Sequence, residues 1–272
     1  MRANVYQKTL IAYFLLLVIG WIALFYKGTT EGFGNYFYSF AFSLVPLIGG
    51  FGGLFLSRGW GGLESAVGRA VFCISLGLFT WGAGSMVWSY YNFFVGVAAP
   101  YPGLADIGFV ASLPLWIYGI LSLSRATGAR VGAKHTLGKW LLILLPVFVA
   151  VVSYYLLVVV ARGGVLTDSF DNYLKLTLDL AYPLGDVVIF SLISVIFSLS
   201  IKYLGGQYKS AVLYILIGFA FMYFADFVFS YTTTVGTFYD GDWGDMLFTL
   251  ALSTITFGTL GFKINELPTG SQ

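Results

Sequence analysis

Four aspartates stand out because each falls inside an apolar run or at its start: Asp106, Asp186, Asp226 and Asp245. A carboxylate carried into hydrocarbon is costly unless it is paired or hydrated, so such residues are the first functional candidates in an apolar chain. Asp226, in Phe224-Ala225-Asp226-Phe227, is the deepest. At ~1.5 Å per residue, its separation from Lys209 puts it ~25 Å across a core ~30 Å thick. Asp186 lies just past Pro183, where a helix bend is expected. Asp106 and Asp245 open helices, where a carboxylate caps free N–H groups and complements the macrodipole. Capping alone would account for both. Asp179 is a further candidate, and Tyr101, Tyr182, Tyr223, Trp81, Trp88 and Trp243 occur at comparable depth. If the acids converge, some must stay protonated or a cation must sit among them. An acidic pocket walled by aromatic rings suits an organic cation or a metal ion. The competing reading is an ordinary interfacial aromatic belt with solvated acids. The predicted ligand-binding set is Asp186, Asp226, Asp106, Asp245, Tyr182 and Trp88. In it Asp226 is the charged floor, Asp186 the contact beside the bend, and Asp106 a cap that fixes the rim.

The elements that must position these residues are membrane spans. The chain is 58% hydrophobic and 10% charged, against about 25% charged residues in soluble domains. The fold class is therefore all-α, a polytopic membrane protein in a lipid bilayer, read as a single transmembrane domain over residues 1–272. Eight spans are expected, at roughly 9–26, 36–57, 67–94, 106–124, 139–161, 174–203, 210–231 and 245–264, before a polar tail from Glu266. The first is read as an uncleaved helix, since no small-residue cleavage site follows it. Gly49 and Gly53 have the spacing that lets membrane helices approach closely.

Eight spans place both termini on one side. That side collects eleven of the Lys and Arg residues, and the other only Lys27, Arg162 and Lys175. The positive side is cytoplasmic, so both termini are expected in the cytoplasm of a cell-membrane protein. The acids, among them Glu31, Asp168, Asp171, Asp240 and Asp242, then fall mainly outside.

The two halves, 9–125 and 139–264, look related. Ala70 to Gly77 matches Ala211 to Gly218, and in the same register Trp88-Ser89-Tyr90 falls on Phe229-Ser230-Tyr231. Asp106 falls on Asp245, Gly119 on Gly258, and Val45-Pro46-Leu47 on Tyr182-Pro183-Leu184. A tandem repeat of two four-helix units is expected, parallel about an axis along the membrane normal.

Several chemistries find no support. There is no phosphate-binding glycine loop and no His-Glu zinc motif. The single His135 lies in a basic loop on the side away from the acids, and the single Cys73 allows no intrachain disulfide. Asp240-Gly241-Asp242-Trp243-Gly244-Asp245 has the beginning of a calcium loop, but Ala251 stands where the bidentate glutamate is needed. No catalytic residue, resident metal, cofactor or nucleic-acid partner is predicted, and the chain is read as a non-enzyme.

Pro100-Tyr101-Pro102-Gly103-Leu104-Ala105-Asp106-Ile107-Gly108-Phe109, followed by Leu113-Pro114-Leu115 and Gly119, resembles a known group. This is the group of multi-spanning membrane input regions that precede bacterial diguanylate cyclases and sensor kinases, and that stand alone in archaea. Their later Tyr-Pro-Leu-x-Asp pattern is matched by Tyr182-Pro183-Leu184-Gly185-Asp186. Gly103 replaces a common serine, and Leu113 an aromatic residue. The resemblance implies about eight spans, a sensory role for an unknown ligand, and no enzymatic activity of the membrane part. With no output domain here, signalling would need a separate cytoplasmic partner. The functional expectation is thus a sensor or receptor-like domain with an outward-facing acidic and aromatic pocket for a small molecule or cation. A small proton-coupled secondary transporter and a structural or assembly factor in the membrane are the alternatives.

Overall fold

Runs of apolar residues that must satisfy their own backbone groups become helices, and the computed structural model is helical with no strand among its described residues. It describes residues 3–127, 129–166, 172–200 and 209–262. The long helices are α1 (Val5–Lys27), α2 (Phe33–Gly59), α3 (Ala66–Tyr90), α4 (Leu104–Ala126), α6 (Thr136–Ser153), α7 (Tyr173–Ser200), α8 (Lys209–Thr234) and α9 (Trp243–Leu260), with a single turn α5 (Ala129–Gly132) between α4 and α6. Helix α3 continues as a π-helical turn, Tyr91–Val95, and α6 as a π-helical stretch, Tyr154–Val160. Seven described helices are long and apolar enough to cross a membrane. The shorter α9 is the most enclosed, with only Trp243 of its residues exposed. It packs against α8, α2, α1 and α3. The predicted Asp168 and Asp171, Lys202, Lys263 and the tail from Glu266 lie outside the described residues. Helix α7 runs as one element through Pro183.

Small residues set the closest helix approaches, as membrane bundles require. Gly84 of α3 and Gly108 of α4 face each other; a Cβ on Gly108 would lie 2.5 Å from the Thr80 carbonyl oxygen and 2.7 Å from the Gly84 nitrogen. Gly119 of α4 lies over Ala70 and Ile74 of α3, and Gly258 of α9 lies over Ala211 and Ile215 of α8. Helix α2 closes on α3 in the same way, with Gly50 against the Phe79 backbone and Gly82 against Leu47.

The two ends of the bundle are fastened differently. At the terminal end, Asn4 Nδ2 donates to the Leu260 carbonyl and Gln7 Nε2 to the Phe257 carbonyl, each at 2.9 Å. These bonds satisfy carbonyls that the last turn of α9 leaves open. At the opposite, mouth end lie the connections α1–α2, α3–α4, α6–α7 and α8–α9. There Asn35 Nδ2 donates to the carbonyls of Thr29 and Asp240, and Trp21 Nε1 to that of Asp242.

The Gly84–Gly108 contact yields a test. Gly108→Ala is expected to destabilise the protein by about 1–3 kcal/mol, because backbone must move to admit the methyl group. Gly20→Ala, with nothing within 4 Å of the new Cβ, should leave the melting temperature in detergent unchanged or slightly raised.

Candidate functional site

A cavity of about 760 Å³ opens between α3, α4, α7, α8 and α9. It runs from the mouth end, where Lys175, Thr233 and Phe238 line it, down to Trp116 and Phe219. Those two rings meet edge to face at 5.3 Å and make its floor. Beneath them Ile74, Ile120, Leu123 and Ile215 are fully buried. The cavity therefore ends at packed apolar side chains.

Every residue of the predicted set lines this one space: Asp106, Asp186, Asp226, Asp245, Tyr182 and Trp88. Asp179, Tyr101, Trp81 and Tyr223 join them, whereas Trp243 sits outside against Trp21. What the sequence did not reveal is how differently the acids are held. Asp106 is the third residue of α4, and its Oδ2 accepts the Gly103 N–H at 2.7 Å. Its Oδ1 accepts the Tyr182 hydroxyl at 2.6 Å. Asp245 occupies the same place in α9, with its Oδ2 accepting the Gly241 N–H at 2.6 Å and the Ser39 hydroxyl at 3.0 Å. Asp242 caps α9 by accepting the Asp245 N–H. The capping geometry follows from carboxylates placed in the first turn, where N–H groups have no helical partner.

Asp240 and Arg162 are the residues that sequence reasoning undervalued. Asp240 read as a solvated loop acid, yet its carboxylate accepts from Ser39 Oγ at 3.0 Å, Trp88 Nε1 at 3.1 Å and Asn92 Nδ2 at 2.8 Å. It ties the α8–α9 loop to α2, α3 and the π turn. Trp88 thus meets the cavity as a wall held by Asp240, stacked edge-on to Phe229 and Phe238. Arg162 follows the π-helical stretch and turns inward. Its Nε donates to Ser230 Oγ at 3.2 Å, and its Nη1 donates to the carbonyls of Leu166 and Asp179. No periodicity in the sequence distinguishes it from an ordinary loop arginine. The only hint for Asp240 was its place in an Asp-Gly-Asp turn.

Asp186 and Asp226 differ from the rest. Their carboxyl groups face each other across α7 and α8, within interaction range, and both line the cavity. Among the described residues, neither accepts a bond from a backbone N–H, hydroxyl, indole or guanidinium. Both lie deep in the bundle, and what accessible surface they keep is cavity wall. Below them, toward the floor, Phe190 and Tyr223 stack with centroids 4.4 Å apart, and the Tyr223 hydroxyl donates to Ser153 Oγ at 2.8 Å.

In sum, the lining carries six aspartates against Arg162 and Lys175, with aromatic rings over much of the rest. No three acids, cysteines or histidines among the described residues are grouped as a metal site, and the carboxylates of Asp240, Asp242 and Asp245 accept hydrogen bonds from the protein. Burial, and the Asp179 carboxylate to which it donates at 2.7 Å, push the Tyr101 phenol above its ordinary range, which keeps it a donor. No protein-family model matches the chain, and searches of curated proteins and of solved structures find no match.

Burial pushes the Asp240 carboxyl above the usual carboxylate range, and the bonds from Ser39 and Trp88 hold it back only in part. The folded protein then binds this proton more tightly than the unfolded chain does. The associated stability is present at acid pH and is lost as pH rises through the folded-state value. Between about pH 4 and pH 7, wild type should lose more thermal stability than Asp240→Asn, measured as melting temperature in one detergent. Equal slopes for the two proteins would show that Asp240 does not titrate in this range.

Proposed function

We propose that this chain is a receptor-like membrane protein whose cavity takes an organic cation with an apolar body. The observation that carries the reading is the combination within one cavity of a carboxyl pair lacking other donors and walls of Trp, Tyr and Phe. Carboxylates attract the charge, and ring faces bind cations at about 0.5–2 kcal/mol each. A volume near 760 Å³ lies within the range of about 300–1,000 Å³ that holds a small organic ligand. The mouth faces outward if the basic end is cytoplasmic, in keeping with the positive-inside rule, and α9 is then the eighth span.

The sensory part of the reading rests on the likeness of Pro100–Phe109 and Tyr182–Asp186 to the input regions of signalling proteins. The hydrogen bond from Tyr182 to Asp106 joins those two motifs, which supports treating them as one device. A separate cytoplasmic protein would receive the signal. Transport is the second reading, favoured by the Asp186–Asp226 pair. The packed apolar floor beneath Trp116 and Phe219 weighs against it. An assembly factor would have no need of a cavity.

The tandem repeat belongs to the same proposal. Its support is that equivalent residues make equivalent contacts: Gly119 on Ala70 and Ile74, Gly258 on Ala211 and Ile215. In that register Gly49 corresponds to Asp186, Gly53 to Phe190, Gly82 to Tyr223 and Ser85 to Asp226. The small residues that close α2 onto α3 and α9 are thus replaced by larger side chains on α7 and α8. The cavity is where the two halves have diverged.

Trp81, Trp88 and Trp116 line the cavity, so their fluorescence reports occupancy. Tetraphenylphosphonium, a permanent cation walled by phenyl rings, should quench it saturably, and Asp226→Asn should weaken that binding by about tenfold or more, the scale of one lost charge contact. Unchanged affinity in the variant would remove Asp226 from the site. Uptake of the cation into proteoliposomes under a pH gradient would put transport first.

A further inference from the structure

We propose that cation binding in this cavity is an exchange: the incoming cation takes the place of the one proton held between Asp186 and Asp226. The inference rests on the cation-receptor reading above and adds how the site is regulated.

Two facing carboxyl groups can hydrogen-bond to each other only if at least one carries a proton, since a carboxylate oxygen only accepts. Asp186 and Asp226 face each other in the cavity wall, and among the described residues no hydrogen bond from another side chain or backbone group reaches either. The other acids of the lining are relieved differently. Asp106 has Gly103 and Tyr182, Asp245 has Gly241 and Ser39, Asp240 has Ser39, Trp88 and Asn92, and Asp179 has Tyr101. Each of those carboxylates has at least one donor from the protein, with the single Ser39 O–H lying between Asp240 and Asp245. The pair alone depends on what lies between its oxygens.

The charged and titratable groups around the pair come from every neighbouring element. Arg162, after α6, is the cation whose field reaches Asp186, and three of its five N–H groups go to Ser230, Leu166 and Asp179. Lys175 and Asp179 stand on α7 toward the mouth. Tyr182 gives its hydroxyl to Asp106, Tyr101 its own to Asp179, and Tyr223 its own to Ser153. Asp240 and Asp245 contribute negative charge from the α8–α9 side. No neighbouring side chain is therefore placed to take over the shared proton.

Charge balance explains why exchange is favoured. With one proton the pair carries a single negative charge. When a monovalent cation enters, the O–H bond breaks, the proton leaves through the mouth to solvent, and both oxygens face the cation. The net charge of pair and guest is again minus one. In a low-dielectric cavity a step that leaves the charge unchanged avoids the cost of adding or removing one. Linkage makes this reciprocal: protons compete with the cation as strongly as the cation expels protons.

The test uses the whole chain in detergent, with tetraphenylphosphonium as the probe because it has no proton of its own. Proton release on binding is followed with a pH-indicator dye in weak buffer, and affinity by tryptophan fluorescence across pH. About one proton released per cation, with affinity rising up to about tenfold per pH unit below the pair's titration, is the expected result. In Asp186→Asn the amide donates to Asp226 and favours its ionised form, so proton release and the pH slope should move to lower pH than in the wild type. Binding with no proton release at any pH, or a slope left at the wild-type pH in Asp186→Asn, overturns the exchange and leaves the receptor standing. Absence of binding to the wild type overturns the receptor reading and the exchange with it. The wild-type proton count decides the matter even where the variant does not fold.

Discussion

A carboxylate among apolar helices has to be given hydrogen-bond donors, and the mouth end of this bundle is built around that requirement. Each of Asp106, Asp240 and Asp245 draws donors from more than one element. The bonds that lower the cost of the charge are also the bonds that fix the loops. Remove the need to solvate Asp240 and there is no reason for Ser39, Trp88 and Asn92 to meet. Acids that look like a liability in hydrocarbon thus serve as fasteners of the loops at the mouth end.

Away from that end, glycine sets the geometry. Close backbone approach joins α3 to α4, α8 to α9 and α2 to α3, giving one tightly packed body. Between α7 and α8 stand Asp186, Phe190, Tyr223 and Asp226, side chains with bulk or charge where the other helix pairs carry glycine, and they line the cavity or stack beside it.

Much of this was legible in the sequence, because hydrophobic length and helix-breaking residues are local signals. The apolar helices and the capping positions of Asp106 and Asp245 could be read from spacing, and Asp106, Asp245, Asp186 and Asp226 share one cavity with Tyr182 and Trp88. Helix boundaries differ by a few residues, and two ends wind into π-helical stretches that no composition signal marks. The partners of each acid were not legible. Whether Asp240 meets Trp88 or water, and whether Arg162 points inward or out, depends on how loops far apart in sequence come together. Position along a helix is encoded locally, while neighbours across the bundle are not.

The enclosed α9 bears on how such a chain is assembled. Its face carries Asp245, Thr249, Ser253, Thr256 and Thr259, all buried against other helices, and it offers lipid a poor surface for an independent stay in the bilayer. It is also the last helix to be synthesised among those described. In the folded protein α1, α2, α3 and α8 form the groove that holds it, so its polar face is met by protein and not by lipid.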